Sequence, residues 1–436
     1  MVCTGSGLPR PGADSRKADL SLQEARNNVT RPPPRIAPTV RGNFFRLQTV
    51  TAMTNSLISR RGALGLGAAS AALAAAPVFA AEAPASPSLA KLAREKGLWF
   101  GSAVGAGPPG AITGSFEDPR YRALLAQECG VLVPENELKW YVIRAAGPQV
   151  FDFSRADRIA AFAKANGQAL RGHTLLWHHP QWFPGWIKTH DFGPQPKAAA
   201  EAMLVEHINR LCQHYPQMIS WDVVNETVDP ADGAIRKTVF SDILGQHETL
   251  DLAFHTARAA APRARLVYND YMSWEVGNEK HRYGVLKLLE GFRKRGTPVD
   301  ALGVQSHIGA ENADTFTGFG RPQEKEWRAF IDEATGMGYD LLITEFDVHD
   351  KGLPLDFAAR DAAVAAYGKA YLDLMLSYRQ TKEVLAWGMV DKYSWLQDQW
   401  LREDKKPKRP TLYDDACQPK LLREAAAAAF RAAPSR

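Results

Sequence analysis

The sequence predicts an α/β chain folded as a single (β/α)8 TIM barrel, and three observations carry that expectation. Short apolar runs alternate with amphipathic stretches of helical period throughout residues 88–436, with no internal linker. Two of those runs, Trp221-Asp222-Val223-Val224-Asn225 and Leu341-Leu342-Ile343-Thr344, stop abruptly at an acid, Glu226 in the first and Glu345 in the second. No glycine-rich phosphate loop follows any run, which argues against the rival doubly wound open sheet.

Taken in order, strands are expected at 98–104, 131–134, 169–176, 219–225, 265–269, 301–307, 341–345 and 384–390. Each is a compact apolar run, as a parallel strand buried on both faces must be. Between them, apolar residues recur with helical spacing at 197–215, 247–260, 277–294 and 357–378, and a last helix is expected at 420–433. Eight alternations fill this length as one domain with long loops.

In a parallel barrel the strand C-termini converge on one face, so residues that end different strands meet in space. The second strand then delivers Glu135, Asn136 and Lys139, the third His173 and Trp177, and the fourth Asn225 and Glu226. The sixth delivers Gln305 and His307, the seventh Glu345 and Asp347, and the eighth Trp387 with Trp395 in its loop. Singly, each has an ordinary structural use: an acid in an ion pair, a tryptophan in the core, a histidine satisfied inside the fold. Together they suit a polyhydroxylated ligand, with amides, a lysine and acids for hydroxyls and indole faces for the C–H face of a sugar ring. Two carboxylates across a cleft are the minimum apparatus for cleaving a glycosidic bond.

The formal charge of +5 comes from the leader. Of 53 basic and 48 acidic residues, ten and four precede Ser88, which leaves 43 against 44 in the rest. No basic stripe remains for nucleic acid, and neutral substrates become the default. Within residues 53–83, Ser59-Arg60-Arg61-Gly62 precedes a mildly apolar Ala- and Gly-rich run, with small-residue cleavage candidates near Ala80 to Ala83. That pattern resembles a twin-arginine export signal leading to the periplasm or the exterior; its length and weak hydropathy disfavour a membrane anchor. Residues 1–52, with Pro32-Pro33-Pro34 and no apolar periodicity, are expected to be disordered or to precede the true start at Met53. Cys129, Cys212 and Cys417 are widely spaced, so buried free thiols are expected and no metal site or disulfide.

Pro134-Glu135-Asn136-Glu137-Leu138-Lys139-Trp140, Gly172-His173-Thr174-Leu175-Leu176-Trp177-His178, Trp221 to Glu226, Gly303-Val304-Gln305-Ser306-His307, Ile343-Thr344-Glu345-Phe346-Asp347 and Trp387 to Trp395 occur in that order. These blocks resemble the ordered signatures of glycoside hydrolase family 10, mainly retaining endo-1,4-β-xylanases, and the likeness spans roughly residues 95–425. The resemblance implies Glu226 as general acid/base, with Asn225 beside it and on the sugar 2-hydroxyl. It implies Glu345 as nucleophile, oriented by His307, which Asp347 holds. Lys139, His173 and Gln305 would bind the sugar at the cleavage point, Glu135 and Asn136 the next one outward, while Trp177, Trp387 and Trp395 wall the cleft. For that chemistry Glu226 needs a raised pKa, which a negative Glu345 nearby would supply. The implied protein is a monomer acting on xylan or xylo-oligosaccharides, with no cofactor, metal, nucleic-acid partner or stable membrane association.

One stretch departs from the family pattern. His179-Pro180-Gln181-Trp182-Phe183-Pro184-Gly185-Trp186 has Pro180 where a glutamine belongs and runs about two residues longer, so Gln181 is expected to take the glutamine's part in a shifted loop. The same machinery acting on another β-glycan or on short oligosaccharides stays open, as does a non-catalytic sugar-binding barrel.

Overall fold

The computed structural model describes residues 86–309, 322–399 and 401–436, so the expected leader and export signal lie outside the described residues. Eight strands close a parallel barrel: β1 Trp99–Val104, β2 Val131–Pro134, β3 Ala169–Trp177, β4 Met218–Asn225, β5 Arg265–Asp270, β6 Ala301–Val304, β8 Asp340–His349 and β9 Thr381–Ala386. Neighbours pair in that order, β6 pairs with β8, and β9 returns to β1, so the sheet has no free edge. A short arm, β7 His307–Gly309, pairs with the outer end of β8.

Helices fill the crossovers that parallel pairing requires. Their ends carry local stop and start signals. Asp118 caps Pro119–Glu128 through the Arg120 N–H at 2.9 Å, and Asp356 caps Phe357–Ser377 through the Ala359 N–H at 2.8 Å. Thr238 and Ser241 form a reciprocal capping box on Val239–Leu244. Glu279–Arg295 ends in a basic turn and a left-handed Gly296. The expected helices at 197–215, 247–260, 277–294, 357–378 and 420–433 fall within two residues of Pro196–His214, Gln246–Ala260, Glu279–Arg295, Phe357–Ser377 and Leu421–Ala432. Pro119–Glu128, Ser154–Ala165 and Glu324–Gly336 are additional.

Three strands differ from expectation, and the seventh barrel strand, expected at 341–345, runs over Asp340–His349. The run expected at 301–307 breaks between β6 and β7 because Ser306 adopts φ 65, with its hydroxyl held by the Val304 carbonyl at 3.1 Å and Tyr371 Oη at 2.8 Å. The eighth barrel strand ends at Ala386, just before Gly388 with φ 91, rather than continuing to Val390. Cys129 and Cys212 are buried free thiols, whereas Cys417 is only half-buried, in a turn with φ 61.

Large apolar side chains such as Trp221, Trp327 and Phe254 pack between sheet and helices. Burial of side chains of this kind stabilises by roughly 1.5–3 kcal/mol each. Inside the barrel, Ala103, Val131, Val133 and Leu385 rise toward Trp387. On the outer, helix-facing side Gly172 is required, since a Cβ would meet the Trp221 ring at 2.0 Å. At the same depth Arg171 pairs with Asp222, both fully buried, and reaches toward Glu383 at 3.7 Å. This buried charge pair supports the site from below: Asp222 also accepts or shares the Nδ1 proton of His173 at 2.8 Å.

Candidate active site

β4 ends at Asn225, and Glu226 follows with φ 54, a left-handed conformation that costs a non-glycine residue about 1–2 kcal/mol. The Glu226 N–H donates to the Asn269 carbonyl at 2.9 Å, which ties this turn to β5. In the cleft the carboxylate accepts Trp177 Nε1–H at 2.8 Å and Gln305 Nε2–H at 2.9 Å. Both donors are neutral. Withdrawal from water raises the Glu226 pKa, and the charge of Glu345 raises it further against the pull of Gln305 and Trp177. Repulsion from Glu345, expected to be the cause, is thus second to burial.

Glu345 lies within β8, where the register slips between Ile343 and Phe346, and its N–H donates to the Gln305 carbonyl at 2.8 Å. One carboxylate oxygen accepts Asn269 Nδ2–H at 2.8 Å; the other is 3.2 Å from His307 Nε2. The opposite ring nitrogen of His307 is 2.9 Å from Asp347 Oδ1, and Trp395 Nε1–H donates to Asp347 Oδ2 at 2.8 Å. Burial opposes a charge on His307, but Asp347 and Glu345 outweigh it and push the imidazole up to about 10. Burial likewise opposes the Glu345 charge, yet the His307 hydrogen bond and the neighbouring cations bring it down to about 2. Imidazolium and carboxylate form one coupled unit at neutral pH.

Asn269, at the end of β5, is a site residue that sequence reasoning missed. Its Nδ2 donates both to Asn225 Oδ1 and to Glu345 Oε1, each at 2.8 Å, while its Oδ1 accepts from Thr344 Oγ1 at 2.6 Å. Gln305 Nε2, besides its bond to Glu226, stands 3.4 Å from Asn225 Oδ1. Amides therefore link the two carboxylates. Asn225 Nδ2 is buried without a partner among the described residues, which leaves a donor for a ligand hydroxyl. The signal available in the sequence was the position alone, the polar end of an expected barrel strand.

The cleft has a volume of about 720 Å³, and its lining brings together Glu135, Asn136, Lys139, His173, Trp177, Glu226, Gln305, His307, Glu345, Trp387 and Trp395. Asn225 and Asp347 sit behind this layer and reach it through Asn269 and His307. Lys139 Nζ stands 4.6 Å from the Trp177 ring centre, 5.6 Å from that of Trp387 and 3.3 Å from Asn136 Oδ1. Glu135 is pushed up to about 7 by burial and by the neighbouring Glu137. Glu137 itself is tied to the Ala106 and Asn136 N–H groups at 2.7 and 3.0 Å. Gln181 departs from expectation: it is exposed and outside the cleft lining, and the loop turns Trp182 to the cleft instead. Tyr141 and Tyr271 are further lining residues that were not anticipated.

A second cavity, about 670 Å³, lies where the barrel strands begin, lined by Arg265, Asp340 and Glu383 among others. Its charges are engaged with one another, Arg265 standing 3.4 Å from Asp340 and 3.6 Å from Glu383. The carboxylate pair and its amides belong to the opposite, C-terminal face, where barrel enzymes carry their chemistry. Among the described residues no group of three or more His, Cys, Asp or Glu side chains could hold a metal ion, and no helix is long and apolar enough to cross a membrane.

The family model described as Glycosyl hydrolase family 10 matches residues 88–429. Among curated proteins, endo-1,4-beta-xylanase 1 of Humicola insolens is 33% identical over 325 residues, covering 73% of this chain and 69% of its own. A beta-1,4-xylanase of Dictyoglomus thermophilum is 32% identical over 300 residues, covering 66% of this chain and 78% of its own. Xylanase 10B of Thermotoga petrophila RKU-1, solved with xylobiose, superposes with a TM-score of 0.68 at 26% identity over 79% of this chain and 97% of that one. Native xylanase 10B of Thermotoga maritima gives 0.67 at 27% identity over 79% and 98%.

Proposed function

Because the chain belongs to glycosyl hydrolase family 10, we propose that it is an endo-1,4-β-xylanase that hydrolyses xylan or xylo-oligosaccharides with retention of configuration. The observation that carries the mechanism is the opposite bias of two glutamates in one cleft, Glu226 toward its acid form and Glu345 toward its carboxylate.

In the first step Glu345 attacks the anomeric carbon while Glu226 gives its proton to the departing glycosidic oxygen. Asn225 Nδ2 donates to the 2-hydroxyl, where a hydrogen bond strengthens as positive charge builds on the ring. His307 holds the nucleophilic carboxylate through one nitrogen and is itself held by Asp347. The resulting ester is neutral, so the repulsion that helped raise Glu226 disappears and its pKa falls. Glu226, now a base, takes a proton from water; that water attacks the anomeric carbon and releases Glu345. Lys139, His173 and Gln305 bind the sugar at the cut, and Glu135 and Asn136 the next one.

Proton NMR of the first product tests this: the β-anomer should appear before mutarotation. Initial release of the α-anomer would overturn the roles of both glutamates. Trp182, standing in the cleft in place of the expected amide, favours a second reading in which the same machinery prefers another β-1,4-glycan. Product profiling on xylan, mixed-linkage β-glucan and carboxymethylcellulose separates the two. The arginine pair at 60–61 supports export by a twin-arginine route, to the periplasm or beyond the cell. Expression from Met53 should give the same exported enzyme, and Arg60→Lys with Arg61→Lys should block its export.

A further inference from the structure

The altered loop presents a large aromatic ring to the cleft and is built to keep it there. The Trp182 N–H donates to the His179 carbonyl at 3.2 Å, and the His179 N–H to the Trp177 carbonyl at 2.8 Å. On its other side Phe183 is buried, edge-on to Trp140 and against Phe240 with ring centres 5.7 Å from each, and Trp186 Nε1–H donates to the Arg144 carbonyl at 2.7 Å. Trp182 is therefore fixed between two anchors, yet it remains 38% exposed.

The ring is not alone. Trp182 stacks on Trp177 with ring centres 5.0 Å apart and planes at 19°. The Tyr141 ring lies 6.4 Å from each of them, and all three line the cleft. Tyr141 Oη donates to Asn136 Oδ1 at 2.8 Å, so this aromatic wall continues from the residue assigned to the sugar next outward from the cut. An exposed indole face held rigidly at the end of a cleft loses little entropy on binding and covers the C–H face of a pyranose.

We propose that Trp182, with Tyr141, forms an additional sugar-binding platform that extends the cleft beyond Asn136, so that the altered loop lengthens the substrate rather than replacing a lost amide contact. The inference rests on reading the cleft as a β-1,4-glycan site. Its ligand is a pyranose ring of the chain at least one residue further from the cut than the sugar on Asn136.

The test uses binding in a chain that cannot turn over. Glu345→Gln and Glu345→Gln/Trp182→Ala are titrated calorimetrically with xylobiose and with xylohexaose. Removing the ring should weaken hexaose binding by about tenfold, equal to about 1.4 kcal/mol, and leave xylobiose binding within about twofold. Trp182→Phe should restore most of the hexaose affinity, and in the active enzyme Trp182→Ala should raise KM for the hexaose more than it lowers kcat. Unchanged hexaose affinity overturns the platform. A parallel loss for both ligands also overturns it, since Trp182 would then act only by bracing Trp177. If the wild type ignores xylan but cleaves another β-1,4-glycan, the reading of the substrate fails separately, and the same length series run on that glycan still decides the role of Trp182.

Discussion

The mouth of β4 and the mouth of β8 each present one glutamate to the cleft, but the donors that reach them differ in charge. Glu226 meets an indole N–H and a carboxamide, and both leave its withdrawal from water largely uncompensated. Glu345 meets a carboxamide and an imidazole that Asp347 keeps protonated. Burial pushes both acids the same way; a charged donor reverses the outcome at one of them. The difference teaches that protonation state here is set by a charged partner on the adjoining strand, His307 on β7 beside Glu345 on β8, rather than by depth. Each mouth can be perturbed separately.

The largest effect should come from β8 itself. Glu345→Ala removes the group that forms the glycosyl ester and should lower turnover on the order of 10⁵-fold on every substrate. Added azide should restore cleavage of an activated aryl xyloside and give the α-azide, because the small anion enters from the face the carboxylate left. A β-azide would transfer the nucleophile's role elsewhere.

Loss of the acid at β4 should be more selective. Glu226→Ala is expected to cost about 10³-fold on xylan, within the usual range for general acid catalysis. On an aryl glycoside with a good leaving group the first step should be nearly unimpaired, and the alkaline limb of the pH profile should vanish. Equal losses for the two alanine variants on the activated substrate would erase the distinction between the two mouths.

How much of this was legible in the chain follows from the same comparison. Both glutamates could be read because each ends or interrupts a short apolar run, His307 because it ends the run before that of Glu345, and Asp347 because it stands two residues beyond Glu345 on the same run. Asn269 could not, since nothing at the end of β5 distinguishes an amide that links two carboxylates from an ordinary polar strand end; the link is 76 residues long in sequence. The break at Ser306 was hidden for another reason: a serine with positive φ carries no propensity signal, and tertiary bonds to Val304 and Tyr371 impose it. In the loop after Trp177, composition indicated a departure from the family but not its direction. Whether Gln181 or Trp182 faces the cleft is decided by Phe183 finding the pocket beside Trp140 and Phe240.

A third perturbation exchanges the two environments. His307→Gln keeps a hydrogen-bond donor but removes the cation, so burial of Glu345 is no longer outweighed and its pKa must rise from about 2. Activity needs Glu345 ionised, hence the acid limb of kcat/KM should move to higher pH, with a loss of roughly 10- to 100-fold at neutral pH. Asp347→Asn should move it the same way by a smaller amount, because the imidazole is then less firmly protonated. The linked stability has a definite sign. The raised His307 pKa contributes stability that is complete below its ordinary value near 6.5 and is lost as pH rises through about 10. The melting-temperature gap between wild type and His307→Gln should therefore narrow as pH rises toward and past 10. An unmoved acid limb in His307→Gln would show that Glu345 owes its charge to other neighbours.

The smallest expected change is at the indole on β3. Trp177→Phe keeps an aromatic wall beside Lys139 and Trp182 but deletes the N–H that donates to Glu226. That bond favours the ionised carboxylate, so without it the pKa of Glu226, already raised, should climb further. Glu226 must be protonated for the first step, so the alkaline limb of kcat/KM should move to higher pH, by less than the acid limb moves in His307→Gln because a neutral donor is lost rather than a charged one. The acid limb should stay in place, since Trp177 makes no bond to Glu345. Movement of both limbs together would mean that the indole holds the geometry of the whole cleft, and the electrostatic separation of β4 from β8 would then fail.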